Sequence, residues 1–538
     1  VHLDDAARER AIGAWRTEVR RLLEAVGWGG ETIASRTFAG GASLAFTAPP
    51  DALYAATDLN EAAWERAAKP PGLPAKVLVE RLRAAIVAER NPALLALREA
   101  ARDRGVTFLS GEERVSVGSG TGVTAWPEAA LPAPDDVDWS RVHDVPIALI
   151  TGSNGKTTVV RLLAAILTEA GLAAGATTTD GVTVGGTIVE AGDYSGPSGA
   201  RLLLRRADVE AAVLETARGG LLRRGLPVER ARVAVVTNVA DDHLGEYGVQ
   251  DLDTLADVKM LVARAVDAAG AVVLNADDAR LRERAGAADV PVVWFHAGRR
   301  DGETERRREG GRTGGRAAVC EEGQLVLVEG GARTGVVPVD EVPIAAGGAA
   351  RHNVANALAA VAAASVLGVP VETIARALRR FGRNGKDNAG RANFMDRGGV
   401  RVLVDYAHNP HGMAALAEMA RGIPARRRLI MIGQAGDRSD EAIRELARAA
   451  LALEPDRILL KDMDRYLRGR APGEVPSLMA DELARRGVPA DAVSRPGSEL
   501  DAVREALAWA RPEDLLVLTV HQDRDEVLEL LGGGKTEG

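Results

Sequence analysis

Ile147-Ala148-Leu149-Ile150-Thr151 runs directly into Gly152-Ser153-Asn154-Gly155-Lys156-Thr157-Thr158, and Val159 to Ala170 follows with helical spacing. A strand, a glycine turn and a helix in that order aim backbone N–H groups and the positive end of the helix at one spot, where phosphate oxygens bind. Lys156 can reach the outer phosphates, and the Thr157 hydroxyl can hold Mg²⁺. The loop reads G-x-x-G-K-T-T, shorter than the familiar G-x-x-x-x-G-K-[ST]. An ordinary strand–turn–helix with a surface lysine is the competing reading, but strand, glycines, Lys-Thr and helix all fall in the required order. ATP is therefore the expected ligand, with Gly152, Asn154, Gly155, Lys156, Thr157 and Thr158 lining its phosphates.

Working outward, short apolar runs recur at Ala211–Leu214, Val233–Thr237, Ala271–Leu274 and Val292–Phe295, with helical stretches between most of them. Such a pattern predicts an α/β domain built on a parallel sheet covered on both faces. A second alternating series starts near Val400, with runs at Val400–Val404, Leu429–Ile432, Arg457–Leu460 and Leu515–Val520. It follows the turn-forming segment Asn384-Gly385-Lys386-Asp387-Asn388, a candidate hinge. Upstream, Glu9–Val26 and Val77–Arg104 read as helices, the latter interrupted at Pro92. Lys69–Pro74 is a break, residues 106–117 a β-hairpin, and Pro127–Asp136 a linker. The expected organisation is a small α+β N-terminal region over 1–141, a central ATP-binding domain over 142–386 and a Rossmann-like C-terminal domain over 387–538. Gly298–Gly315 is Gly- and Arg-rich and reads as a solvated, mobile insertion.

Composition narrows the class. At 538 residues, 46% hydrophobic and 27% charged, the chain has the make-up of a soluble multidomain globular protein. A net charge of −8 argues against nucleic-acid binding through bulk positive charge. One cysteine, Cys320, permits no intrachain disulfide and suits a reducing compartment. No apolar run spans a bilayer, and Val1-His2-Leu3-Asp4-Asp5 lacks the features of a signal peptide, so a cytoplasmic protein that avoids membranes is expected.

Glu215 ends a predicted strand, where a nucleotide-bound metal needs an oxygen ligand, although a charge at a helix N-terminus explains it equally well. The next strand ends in Thr237-Asn238-Val239-Ala240-Asp241-Asp242-His243-Leu244. His243 can face the same crevice, while a lone histidine is usually structural. Lys259 by itself reads as an exposed helix charge.

The ordered set of G-S-N-G-K-T-T, Glu215, Asp242-His243-Leu244 with downstream Lys259, Asn275-Ala276-Asp277-Asp278, His352-Asn353-Val354-Ala355-Asn356, Gly390-Arg391 and Asp405-Tyr406-Ala407-His408-Asn409-Pro410 resembles the Mur ligase family. The similarity covers about Val145 to Val520. Glu215–Leu226 (E-T-A-R-G-G-L-L-R-R-G-L), Gly390–Phe394 (G-R-A-N-F), Gly436–Glu441 (G-D-R-S-D-E) and Leu467–Arg470 (L-R-G-R) are further similar to the Mur-like half of cyanophycin synthetases. That family carries an ATP-grasp domain ahead of this half, and residues 1–141 are too short for one.

The resemblance implies ATP-dependent amide formation through an acyl phosphate, with a carboxylate and an amino-acid amine as substrates. Arginine added to an aspartyl carboxylate is one such pair; a cell-wall or folate-like substrate is the alternative. It also leaves room for a homo-oligomer, or for a nucleotide-binding subunit docking on a separate ATP-grasp protein. It implies that Thr157 and Glu215 hold one Mg²⁺ and that His243 with Glu215 holds a second. Lys259 matches a lysine that is commonly carbamylated, which turns a cation into an anion able to support the second metal. Asn275, His352, Asn353 and Asn356 would serve the adenine side. Arg391 and Asp405 would meet phosphate and ribose when the domains close; alone, they read as a surface charge and a turn residue. Lys156, Lys259, His243 and Arg391 are thus the expected catalytic groups. For amine selection, Gly436–Glu441 and Asp462-Met463-Asp464-Arg465 follow strands of the last domain, with helix capping by Ser439 or Asp440 as the competing reading.

Overall fold

The computed structural model describes residues 5–38, 41–68, 73–111, 113–241, 244–298, 315–385 and 387–532. Asp242, His243, Lys386, residues 69–72 of the expected break and nearly all of the Gly/Arg-rich insertion lie outside them.

One compact unit comprises Val1–Val145 with the short stretches Leu204–Ala207 and Leu244–Leu255. Helices α1 (Asp5–Val26), α2 (Leu53–Ala68) and α3 (Ala75–Glu89) bury Trp15, Val19, Leu22, Leu59, Leu78 and Leu82 among themselves. The spacing 15, 19, 22 is that of one helix face. A hairpin of β1 (Ile33–Phe38) and β2 (Gly41–Phe46) lies between α1 and α2 in the chain. Helix α4 (Pro92–Asp103) starts where Pro92 supplies a fixed φ and Asn91 Oδ1 accepts from Leu94 N at 3.1 Å. It packs with the antiparallel strands β3 (Phe108–Leu109), β4 (Arg114–Val117) and β5 (Thr124–Pro127). Of the expected linker Pro127–Asp136, Leu131 packs partly on that core; beyond it Val137 and Trp139 join the core, and Trp139 Nε1 donates to Pro134 O at 2.8 Å.

The second unit contains the two larger sheets. Its chain runs β6 (Ile147–Thr151), α5 (Lys156–Glu169), β7 (Ala174–Thr177), β8 (Gly181–Val184), β9 (Thr187–Ala191), α6 (Pro197–Leu204), β10 (Ala211–Glu215), α7 (Arg218–Arg224) and β11 (Ala231–Val236). Then follow α8 (Leu252–Met260), β12 (Val266–Asn275), α9 (Ala279–Arg284), β13 (Val292–His296), β14 (Arg316–Glu321), β15 (Gln324–Glu329), β16 (Ala332–Pro338), α10 (Arg351–Val366) and α11 (Val371–Arg380). The strands form one sheet in the order β16-β15-β14-β13-β12-β11-β6-β10-β7-β8-β9. Strands β14 through β7 in that order are parallel, while β15, β16, β8 and β9 add antiparallel hairpins at the edges. The sheet is therefore mixed, because tight turns at both margins replace crossover helices.

Strand β6 sits between β10 and β11, with Glu215 beside Ile150 and Val236 beside Thr151. This register brings three strand ends together at the phosphate loop. Helix α10 is buried along most of its length, and every residue from Ala357 to Ala364 has no exposed surface. Its alanines let it lie close to α5 and the sheet.

The last domain runs β17 (Asn393–Arg397), β18 (Val400–Asp405), α12 (Pro410–Arg421), β19 (Arg428–Ile432), α13 (Asp440–Ala450), β20 (Arg457–Leu460), α14 (Glu474–Arg485), β21 (Val493–Ser494), α15 (Glu499–Trp509), β22 (Leu515–Thr519) and α16 (Arg524–Leu530). Its sheet has the order β17-β18-β22-β19-β20-β21, parallel except for the edge strand β17. Helices cover both faces, burying Ile430, Ile432 and Leu460 on one side and Met431, Leu459 and Leu516 on the other. No helix among the described residues is long and apolar enough to cross a membrane.

Candidate active site

The loop between β6 and α5 turns on two glycines, Gly152 (φ 143°) and Gly155 (φ 84°). A Cβ at Gly152 would meet Thr237 Oγ1 at 1.8 Å, and one at Gly155 would meet Asn356 Oδ1 at 2.2 Å. Both positions therefore demand glycine on conformation and on space. The loop is stitched to the segment after β11. Asn154 O accepts from Thr237 Oγ1 (2.6 Å) and Asn238 Nδ2 (3.0 Å), and Asn154 N donates to Asn238 Oδ1 (3.0 Å). Ser153 Oγ donates to Ala240 O at 2.7 Å and accepts from Ala240 N at 2.9 Å. Lys156 Nζ donates to its own loop, to Gly152 O and Ser153 O, each at 3.0 Å.

Thr157 Oγ1 donates to Glu215 Oε2 at 2.9 Å, and both residues, like Thr158, are buried. Burial pushes the Glu215 carboxyl up, against the opposing pull of Lys156, the Thr157 hydroxyl and Arg391. A hydroxyl and a carboxylate are hard oxygen donors, and the carboxylate has a hydroxyl rather than a cation as its hydrogen-bond partner. This pair, beside a glycine turn facing a helix N-terminus, fits a Mg²⁺-bearing nucleotide. Mg²⁺ keeps waters and takes phosphate oxygens, so one carboxylate and one hydroxyl suffice from the protein.

The other expected residues gather unevenly. Asn275, at the end of β12, donates to Thr237 O (2.9 Å) and accepts from Asp277 N (2.8 Å), bracing the stitched segment. Asn353 Nδ2 donates to Ile344 O (2.9 Å), Asn356 Nδ2 donates to Asn353 Oδ1 (3.1 Å), and this chain ends against Gly155. Burial lowers the His352 imidazole, with the Asp405 carboxylate opposing. Lys259 is 3% exposed on α8, so its reading as an exposed helix charge is corrected. Leu255 and Ala256, four and three residues earlier, are buried on the same face. His243 lies outside the described residues.

The last domain reaches the same loop. Asn154 Oδ1 accepts from Asn409 Nδ2 (2.9 Å), and Asn154 Nδ2 donates to His411 Nδ1 (3.1 Å). Asn409 also caps α12, its Oδ1 accepting from Gly412 N at 2.8 Å. Asp405 accepts from Ala392 N and Ala407 N, both at 2.8 Å, and so shapes the turn carrying Arg391.

A second bridge, which the sequence reading missed, centres on Asp180. It accepts from Arg161 (2.6 Å) and from Arg524 (2.7 Å) at the start of α16, and Arg161 Nη1 also donates to Ala389 O (3.2 Å). Burial pushes the Asp180 carboxyl up, but Arg161 and Arg524 outweigh it and hold it below the usual carboxylate range. The strand-end position of Asp180, just after β7, was the available signal.

In Gly436–Glu441, the first of the two segments expected to select an amine, acidic groups have arginine partners. Asp437 pairs with Arg468 and Asp440 with Arg470, which also donates to Gly436 O (2.8 Å) and Arg438 O (2.9 Å). Ser439 Oγ accepts from Ala442 N at 3.2 Å, the geometry of an N-cap.

Residues 150–364 match the Mur ligase middle domain, and residues 390–520 match the Mur ligase, glutamate ligase domain. Cyanophycin synthetase of Nostoc sp. is 41% identical over 344 residues, 64% of this chain and 37% of that protein. A UDP-N-acetylmuramate--L-alanine ligase of Xylella fastidiosa is 31% identical over 349 residues, 64% of each chain. The crystal structure of MurF from Acinetobacter baumannii shares the fold with a TM-score of 0.51 at 21% identity, over 72% of this chain and 76% of that one. The chain spans between 37% and 44% of the length of the cyanophycin synthetases it matches.

Proposed function

Because this chain belongs to the Mur ligase family through its middle and C-terminal domains, we propose that it is an ATP-dependent carboxylate–amine ligase of the cyanophycin synthetase kind. What supports this reading is a glycine turn of the middle domain that the last domain contacts. Lys156, Thr157 and Glu215 come from one, while Asn409 and His411 of the other bond to Asn154 in the same turn.

A carboxylate is a poor electrophile, and phosphorylation turns one of its oxygens into a leaving group. In this reading the backbone N–H groups of the turn and Lys156 hold and neutralise the phosphates of ATP during in-line transfer. Thr157 and Glu215 would hold Mg²⁺, which when bound neutralises charge on the transferring group. Arg391 and Asp405 are assigned to phosphate and ribose, and Asn275, His352, Asn353 and Asn356 to the adenine side. The amine then attacks the acyl phosphate, and phosphate departs as the amide forms. Bringing the last domain onto the turn excludes water, which protects the acyl phosphate from hydrolysis.

His243 with Glu215 is assigned a second metal ion. Lys259, buried beneath the surface, is assigned the carbamate. Native mass spectrometry should show a gain of one CO₂ that is lost on acidification and absent from Lys259→Arg; an unmodified native mass would count against it.

For substrates, an aspartyl carboxylate and a cationic amino acid such as arginine are the pair we infer, by likeness to cyanophycin synthetases. The 31% identity to a UDP-N-acetylmuramate ligase supports a cell-wall carboxylate as the second reading. Incubation with ATP, Mg²⁺ and a panel of amino acids, aspartyl peptides and UDP-muramoyl acceptors separates the two by mass. The expected product is an arginyl amide of an aspartyl peptide, with ADP released in step. No ADP from any acceptor would sink the ligase reading and favour a nucleotide-binding subunit that serves a separate ATP-grasp protein.

A further inference from the structure

Arg391 is held in an unusual way for a half-buried cation. Its backbone N–H donates to Asn388 O at 3.0 Å, but among the described residues its guanidinium donates to no protein acceptor. What it meets is the face of Tyr406, 4.2 Å from the ring centroid. An arginine side chain carries much rotamer freedom, so a flat platform on one side decides where the fork points.

That platform is itself fixed. The Tyr406 ring has His521 edge-on at 5.0 Å and 65°, and His408 at 5.4 Å and 63°. His521 cannot turn. Lys461 Nζ, which only donates, is 3.1 Å from His521 Nδ1, so Nδ1 accepts. Nε2–H must then donate to Ala407 O at 3.1 Å, which sets the neutral tautomer. Burial, aided by Lys461, keeps this imidazole well below its ordinary value. Lys461 has no exposed surface and pairs with Glu499. Glu499 also accepts from the backbone N–H groups of His521 (2.9 Å), Gln522 (3.1 Å) and Asp523 (2.9 Å). A buried ion pair adds little net stability. Here it immobilises the loop that carries His521, and through His521 the ring of Tyr406.

We propose that Tyr406 is the positioning residue of Arg391, its ring face directing the guanidinium toward the phosphates held at the loop. The inference rests on the ligase reading for the identity of that charge, while the coupling of the two side chains is separately measurable.

A double-mutant cycle of Tyr406→Leu and Arg391→Ala in the full chain with Mg²⁺ tests it, read by calorimetric ATP affinity and by kcat and KM for ADP release. Arg391→Ala is expected to lower kcat about tenfold or more with an unchanged unfolding midpoint, and Tyr406→Leu about tenfold. The double variant should be no worse than Arg391→Ala alone, because the ring acts only through that side chain. Tyr406→Phe, which keeps the ring, should stay within about twofold of wild type. Losses that multiply in the double variant, or a Phe variant as impaired as the Leu variant, would overturn the proposal. Wild-type protein that binds ATP but releases no ADP would defeat the ligase reading instead, and the cycle in affinity would still decide the coupling.

Discussion

Lys156→Ala is expected to lower ATP-dependent ligation by about 10²- to 10³-fold, the usual cost of removing one preorganised group that meets developing charge. The fold should survive, because Nζ donates only to the carbonyls of Gly152 and Ser153 in its own loop. The turn is independently secured through Asn154, Ser153, Thr237 and Asn238. Lys156→Arg should not restore activity, since a planar fork replaces a compact ammonium in a turn of fixed size. The check is ADP release under single-turnover conditions beside the unfolding midpoint. Turnover close to wild type in Lys156→Ala would refute the assignment of this loop to ATP phosphates.

Glu215→Gln is the second variant with a large effect, and its two readouts should move in opposite directions. Mg²⁺-dependent turnover should fall by about 10²-fold or more, because the amide brings no negative charge to the metal. Stability at neutral pH should hold or rise. Burial raises the folded-state pKa of Glu215 above that of the unfolded chain. Protonation therefore favours the fold, and this contribution is lost as pH rises from the unfolded-state value through the folded-state value. Glutamine can still accept the Thr157 hydroxyl proton without carrying that charge. The gain in unfolding midpoint over wild type should be visible near pH 7–8, shrink as pH falls through the folded-state value, and be gone below about 4, where both side chains are neutral. A midpoint well below wild type at pH 8, with or without turnover, would contradict the desolvated-carboxylate account.

The strand–turn–helix at Gly152–Thr158 was legible in the sequence because a strand, two glycines and a helix are local and their signals are narrow. Glu215 was legible as a strand end, a place where parallel sheets collect ligands, whereas Asp405 read alone as a turn residue and in fact ends β18. Lys259 was misread although its signal was present. It follows Leu255 and Ala256 by four and three residues, on the helix face that is buried. The hairpins of β8, β9, β15 and β16 were missed since short edge strands carry weak alternation and no helix separates them. Asp180 could not be paired with Arg524 by any local rule, because 344 residues separate them. The Lys461–Glu499–His521 network was hidden for the same reason, being assembled from segments that meet only when the last domain folds.

Helix α10 gives the molecule a dimensional tolerance. From Ala357 to Ala364 it is inaccessible on every side, and six of these eight residues are alanines, so small methyl groups make up most of its packing surface. The same rod carries Asn353 and Asn356, and the tip of Asn356 occupies the space beside Gly155 that a methyl would need. Alanine size deep in the interior thus calibrates, at a distance, the clearance around the turn that would grip ATP.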